Sequence, residues 1–301
     1  MAGSILSATG TQFASANVVY LRYCTSDGYI GDVAASAATS NMHFRGRWVV
    51  SATIAALQQK HGLGSSAKPA VVIYSGCSAG GRGVMHNLNY VQDQVASIAG
   101  TAATTIGLVD SGLYIDIDTL DKTKTKLADQ AKGIVAFNKA AVDPHCASLF
   151  PGDQKYKCLL GQYAIGNLTL MAPVVVHAFQ YDAYQLYVDL PVPFGLLRAF
   201  ELKAHPDWSA LAEGFRAKTR AILDRTSSTK VAVHSSACYM HCNTEKAAFS
   251  NGYKVNDVSL ANVLDRFTTA TLAHSSGARP VVAIENCTGF ACGTDCKANA
   301  A

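Results

Sequence analysis

The stretch AVVIYSGCSAGGRG, residues 70–83, decides the fold. Its first half is a continuous apolar run rich in β-branched and aromatic residues, the pattern of a buried strand. Its second half sets glycines at 76, 80, 81 and 83 around Ser78. The following residues, GRGVMHNLNYVQDQVASI over 81–98, space their apolar positions for a helix. Gly76-Cys77-Ser78-Ala79-Gly80 therefore falls between a strand and a helix and matches G-x-S-x-G, the nucleophile elbow. Glycines on both sides let strand and helix approach closely enough to project the hydroxyl above the sheet. Five residues alone are weakly specific; the strand-to-helix context is what gives them meaning. The rival reading is a glycine-rich turn cradling phosphate at a helix N-terminus. The P-loop lysine is missing, however, and the first helical turn carries only Arg82.

The alternation continues outward. Residues 48–60, WVVSATIAALQQK, predict a helix stopped by Gly62 and Gly64, and Val18 to Tyr23 (VVYLRY) predicts a buried strand ending near Cys24. Strands are then predicted over 104–112, 172–182 and 230–237, alternating with helices over 126–142, 208–226 and 258–273. Continuous apolar strands between amphipathic helices predict an α/β protein, a mostly parallel sheet covered on both faces in a single domain. One segment fits neither pattern. YQLYVDLPVPFGLLRAF, residues 184–200, is apolar yet broken by Pro191, Pro193 and Gly195, and reads as a packed loop or as a lid or acyl-binding wall.

Composition narrows the partners. Among 301 residues the net charge is only +4, and the loose cluster Lys122, Lys124, Lys126 reads as a solvated helix start, so no nucleic-acid footprint is expected. The longest apolar run, Met171 to Phe179, is interrupted by Pro173 and His177 and falls short of a membrane span. No basic residue precedes Arg22, so the start does not resemble a secretory signal. Nine cysteines nonetheless suggest disulfides, with one left over. Zinc is the alternative, through Cys238, His241 and Cys242 or through Cys287, Cys292 and Cys296, though neither set has the two-by-two spacing of a zinc finger. Sequons at Asn167 and Asn286 fit an exported protein.

A serine hydroxyl needs a base to take its proton and a carboxylate to orient that base. In an elbow fold the acid and the histidine follow the serine in that order, each after a later strand. Asp182 ends APVVVHAFQYD and His241 follows KVAVHSSACYM, where the fold needs them. Asp110, at the end of IGLVD, competes for the role of acid. His234 lies inside its strand and reads as a core residue, and His86 lies on the elbow helix facing away. His145 lies in a loop, and His43, His61, His177, His205 and His274 have no motif around them.

Seven blocks extend the pattern: LRYCTSDGYIGD, FRGRW, SGCSAGG, VDSGLYID, FQYDAYQL, SSACYMHC and ENCTGFACGTDC. In order and approximate spacing, from about Val18 to Cys296, they resemble the pectin acetylesterase family, which includes Notum. The resemblance implies an α/β-hydrolase-type fold with Ser78 as nucleophile, Asp182 rather than Asp110 as acid, and His241 as base. The Ala79 N–H would donate to the oxyanion. It also implies an exported, disulfide-bonded enzyme with no cofactor or metal that removes O-acetyl groups from a polysaccharide such as pectin. Two alternatives accompany this: a Notum-like lipid deacylase, and a catalytically impaired fragment or binding protein. The last arises because family members begin with a signal peptide and a strand ending in Gly-Gly-aromatic-Cys, whose backbone supplies further oxyanion donors. This chain starts downstream of that segment, so an incomplete N-terminus and an exposed sheet edge are expected.

Overall fold

A computed structural model describes residues 4–7, 13–65, 70–99, 103–170, 172–226, 228, 230–273 and 280–296. Met171 and His274 lie outside the described residues. The centre is a five-stranded parallel sheet in the order β1-β2-β3-β5-β7. Its strands are β1 (Ala70–Cys77), β2 (Ala103–Asp110), β3 (Val174–His177), β5 (Val231–Ser235) and β7 (Val282–Ile284). A separate parallel pair, β4 (Tyr181–Asp182) with β6 (Tyr239–Met240), extends beyond it.

Alternating side chains send apolar residues to both faces, which is why these strands read as continuous runs. Val174, Val176, Val231 and Val233 pack with Val84 and Leu88 of α2 (Ala79–Ala99) and with Phe215 and Leu223 of α8 (Pro206–Thr226). Ile106, Leu108, Val175 and Ala232 face the other way, onto Leu260, Leu264 and Phe267 of α10 (Leu260–Leu272). α1 (Gly46–His61) packs Val50 and Ile54 against Val91 and Val95 of α2. It ends where expected, on Gly62 with φ 70°. The remaining helices are α3 (Leu127–Asn138), α4 (Pro144–Leu149), α5 (Gly161–Ala164), α6 (Ala183–Asp189), α7 (Ala199–Ala204) and α9 (Ala248–Asn251). Among the described residues no helix is long and apolar enough to cross a membrane.

Three expectations change. Residues 18–23 form no strand: Val18, Val19 and Tyr20 are exposed, and no described strand lies alongside to complete a ladder. β1 correspondingly lies at the sheet edge, with Val71 exposed. The predicted strand 172–182 breaks after His177 and resumes as β4, because Ala178 N turns to His234 O and Gln180 N to Ser236 O. Finally, Lys124 is not a freely solvated cation. Its Nζ donates to Leu190 O at 2.9 Å, holding the segment after α6. That segment is split between two environments. Leu190, Val192 and Leu197 are buried, whereas Phe194, Leu196 and Phe200 stand exposed.

Candidate active site

Ser78 has φ 56°, a left-handed conformation that a non-glycine residue adopts at a cost and keeps only when its surroundings impose it. The glycines impose it. A Cβ on Gly76 would lie 2.4 Å from the carbonyl of Gly80, and one on Gly81 would lie 2.7 Å from Asp110 O. Strand end, helix start and the neighbouring strand end thus meet at backbone contact. Ser78 N donates to Asp110 O at 2.8 Å, fixing the turn to β2. Ala79 opens α2, where N–H groups have no partner inside the helix.

β4 and β6 bring the distant partners together. Their register pairs Asp182 with Met240, so His241 follows directly beside the carboxylate. His241 Nδ1 lies 2.8 Å from Asp182 Oδ2 and 3.0 Å from Oδ1. Asp182 is also the N-cap of α6 and accepts from Tyr184 N and Gln185 N. Burial disfavours a charged imidazole, but the charge and hydrogen bond of Asp182, joined by the charge of Asp110, outweigh it and hold His241 above its ordinary value. Asp110 does different work. Its Oδ2 accepts from Asn243 N and Thr244 N, both at 2.7 Å, anchoring the loop that carries His241 rather than touching the ring. His234 is a buried core residue bridging His177 and Val258 O, and burial pushes it down to about 3. His86 is buried too, accepting from Asp143 N.

Ser78 and His241 are tied through their neighbours. Cys77, before the serine, is bonded to Cys242, after the histidine, across 165 residues. A ring nitrogen of His241 lies within 4.8 Å of both sulfurs. The Ser78 Oγ is not hydrogen-bonded to His241; it lies 2.9 Å from the Tyr114 hydroxyl, and His241 Nε2 is buried without a partner among the described residues. Three other disulfides join Cys146–Cys158, Cys238–Cys296 and Cys287–Cys292, leaving Cys24 free and exposed. Every cysteine of both zinc groupings is thereby consumed, since a zinc ligand must be a thiolate. Replacing Cys77 and Cys242 together by serine removes a 165-residue cross-link, worth roughly 5 kcal/mol in the chain-entropy description. The expected result is a large fall in the denaturant midpoint; an unchanged midpoint would remove this bond from the account of how the site is held.

The structure sets Asp182 against His241 and ties His241 to Ser78 through the adjacent disulfide. The segment 184–200, read from sequence as a packed loop or a wall, contributes Tyr184 and Phe194 beside them; Tyr114 and Arg82 are not anticipated from the sequence. The Tyr184 ring lies 5.4 Å from His241 and 6.3 Å from Tyr114, and Phe194 contacts Tyr184 from outside. Arg82 lies over the Tyr114 ring at 3.9 Å. Tyr114 and Tyr184 both stand inside the quoted blocks, VDSGLYID and FQYDAYQL, but no motif assigns them a task.

The family model for pectinacetylesterase matches residues 3–297. The chain belongs to the pectinacetylesterase family. Among curated relatives it is 26% identical to palmitoleoyl-protein carboxylesterase notum2 of Xenopus laevis, over 94% of this chain and 56% of that protein. It is 32% identical to human palmitoleoyl-protein carboxylesterase NOTUM over 58% of this chain and 35% of that protein. Pectin acetylesterase 11 of Arabidopsis thaliana is 27% identical over 82% of this chain and 62% of its own length. The chain thus spans about half the length or less of the first Notum relatives. The crystal structure of the Wnt deacylase Notum from Drosophila superposes with a TM-score of 0.81 at 24% identity, covering 98% of this chain and 79% of that one. This pectinacetylesterase-family chain accordingly has the α/β-hydrolase-like fold expected of it.

Proposed function

We propose that the chain is a serine carboxylic-ester hydrolase, working as one domain, that removes O-acetyl groups from a polysaccharide such as pectin. Ser78 attacks the ester carbonyl, His241 accepts the serine proton at Nε2, and Asp182 orients the imidazole and stabilises its charged form. The Ala79 N–H donates to the oxyanion. His241 then returns the proton to the departing sugar alcohol, and water repeats the sequence on the acyl-enzyme. The observation that carries this reading is the Asp182–His241 pair, 2.8 Å apart and disulfide-linked through adjacent residues to a serine on a left-handed turn. Four disulfides favour an oxidising, extracellular setting.

A second reading, a lipid deacylase like the Notum relatives named above, draws on the exposed Phe194 beside Tyr184 and on the exposed Leu196 and Phe200 that follow it in the chain. Chain length separates the two. We expect p-nitrophenyl acetate to be cleaved with a higher kcat/KM than the octanoate, acetate to be released from acetylated pectin, and a fluorophosphonate to label Ser78 stoichiometrically. Cleavage of octanoyl but not acetyl esters would transfer the assignment to the deacylase. Absence of label on Ser78 would sink both.

A further inference from the structure

Tyr114 is 5% exposed, and its hydroxyl lies 2.9 Å from Ser78 Oγ. Its φ is 41°, a conformation rare for a bulky aromatic and one that the surrounding structure must enforce. The enforcing bonds are present. Tyr114 O accepts from Gly161 N at 2.8 Å, and the next residue, Ile115, donates its N–H to Gln185 Oε1 at 2.6 Å. Gln185 N in turn donates to Asp182 Oδ1 at 3.0 Å, so the turn that presents Tyr114 is tied to the acid that orients His241.

The guanidinium carbon of Arg82 lies 3.9 Å from the Tyr114 ring centroid. Arg82 is 6% exposed, its Nε is buried without a hydrogen-bond partner, and among the described residues no carboxylate is in ion-pair reach. An unpaired buried cation costs stability. Here it sits over the phenol whose hydroxyl faces the nucleophile. Burial pushes that phenol up to about 12 against the opposing pull of Arg82, so the hydroxyl keeps its proton at neutral pH and can donate it in a hydrogen bond.

We propose that Tyr114 is a further catalytic residue, whose hydroxyl donates a hydrogen bond to the oxyanion formed when Ser78 attacks, with Arg82 as a positioning charge on the ring face. The proposal rests on the serine-esterase reading. As the Oγ–carbon bond forms, the carbonyl π pair moves onto oxygen and the serine proton passes to His241 Nε2; Tyr114 retains its own proton throughout. The new oxyanion is bonded to the carbon that Oγ has just joined. A donor already within hydrogen-bond distance of Oγ therefore needs only a small reorientation to reach it.

The test is Tyr114→Phe, compared with wild type on p-nitrophenyl acetate and by inhibition with a boronic acid that forms a tetrahedral adduct on Ser78. Loss of one oxyanion donor lowers turnover by about 10²-fold or more. We expect kcat to fall to that extent with KM within about twofold, and boronate affinity to weaken in parallel. A hydroxyl that merely parks the serine would leave kcat unchanged or raise it and spare boronate binding; that result overturns the proposal. Should Tyr114→Phe fail to fold, Arg82→Met provides the second variant, with a smaller loss of kcat and of boronate affinity expected and retention of both counting against the proposal. Stoichiometric fluorophosphonate labelling of Ser78 in the same preparations keeps the outcomes distinct. Label with unaltered kinetics defeats the role of Tyr114 alone, whereas no label in wild type defeats the esterase reading beneath it.

Discussion

Alanine at position 78 will lower kcat for ester hydrolysis by about 10⁶-fold if the proposed nucleophile, base and acid act as a unit, since loss of the first disables the rest. The substitution isolates chemistry from folding unusually well. Ser78 sits at φ 56°, and alanine meets nearly the same steric penalty there, so the turn has no new reason to relax. The side chain's hydrogen bond goes to Tyr114, whose hydroxyl would lose a partner at a cost of about 1 to 3 kcal/mol. Neither the disulfide beside it nor the glycine contacts across the turn depend on the hydroxyl. Initial rates with p-nitrophenyl acetate and a thermal melt on the same sample check both halves. A correctly folded Ser78→Ala protein that hydrolyses the ester within tenfold of wild type would end the assignment of this serine.

The elbow was legible because its constraints are local. A strand, a glycine on each side of a serine and an amphipathic helix are all contiguous between 70 and 99, and the steric reason for them is written in the missing side chains. The order of sheet and helices was legible for a similar reason, since β-branched runs and 3.6-residue spacing report local burial. Pairing over long separations was not. VVYLRY has the composition of a strand, but a strand exists only where another lies beside it, and nothing within residues 18–23 carries that information. The β4–β6 pair is two residues long on each side, below the length at which alternation can be detected, yet it sets Asp182 beside His241. Asp110 illustrates the same limit from the other direction. Its place at a strand end suits a catalytic acid, and only the fold reveals that its Oδ2 is occupied by the backbone of Asn243 and Thr244 and its Oδ1 by the Ser111 hydroxyl. Tyr114 and Arg82 meet across 32 positions of sequence through a ring face, a contact that leaves no periodic trace.

The sharpest test of how His241 is tuned is Asp182→Asn. Asparagine caps a helix about as well as aspartate, so α6 and its bonds from Tyr184 N and Gln185 N should persist. The bond to His241 Nδ1 should not persist in its present sense. An amide that presents its NH₂ there makes Nδ1 the acceptor and moves the ring proton to Nε2, the nitrogen that must be free to receive the serine proton. We expect kcat to fall about 10⁴-fold, with the melting temperature shifted far less. The pH profile carries the sign. As the proposed base, His241 works only when neutral, so wild-type kcat/KM should fall as pH drops through its value, which lies above the ordinary 6.5. Burial, with a smaller contribution from Lys246, lowers that value; Asp182 raises it through its charge and hydrogen bond, aided by the charge of Asp110. With asparagine in place the burial effect is unopposed by that carboxylate, and the acid limb of the residual activity should move to lower pH. Asp182→Ala would confuse the two effects, since it also removes the cap, at about 1 kcal/mol. An Asp182→Asn protein with a wild-type rate, or with its acid limb unmoved, would mean that this carboxylate caps a helix and does nothing for catalysis.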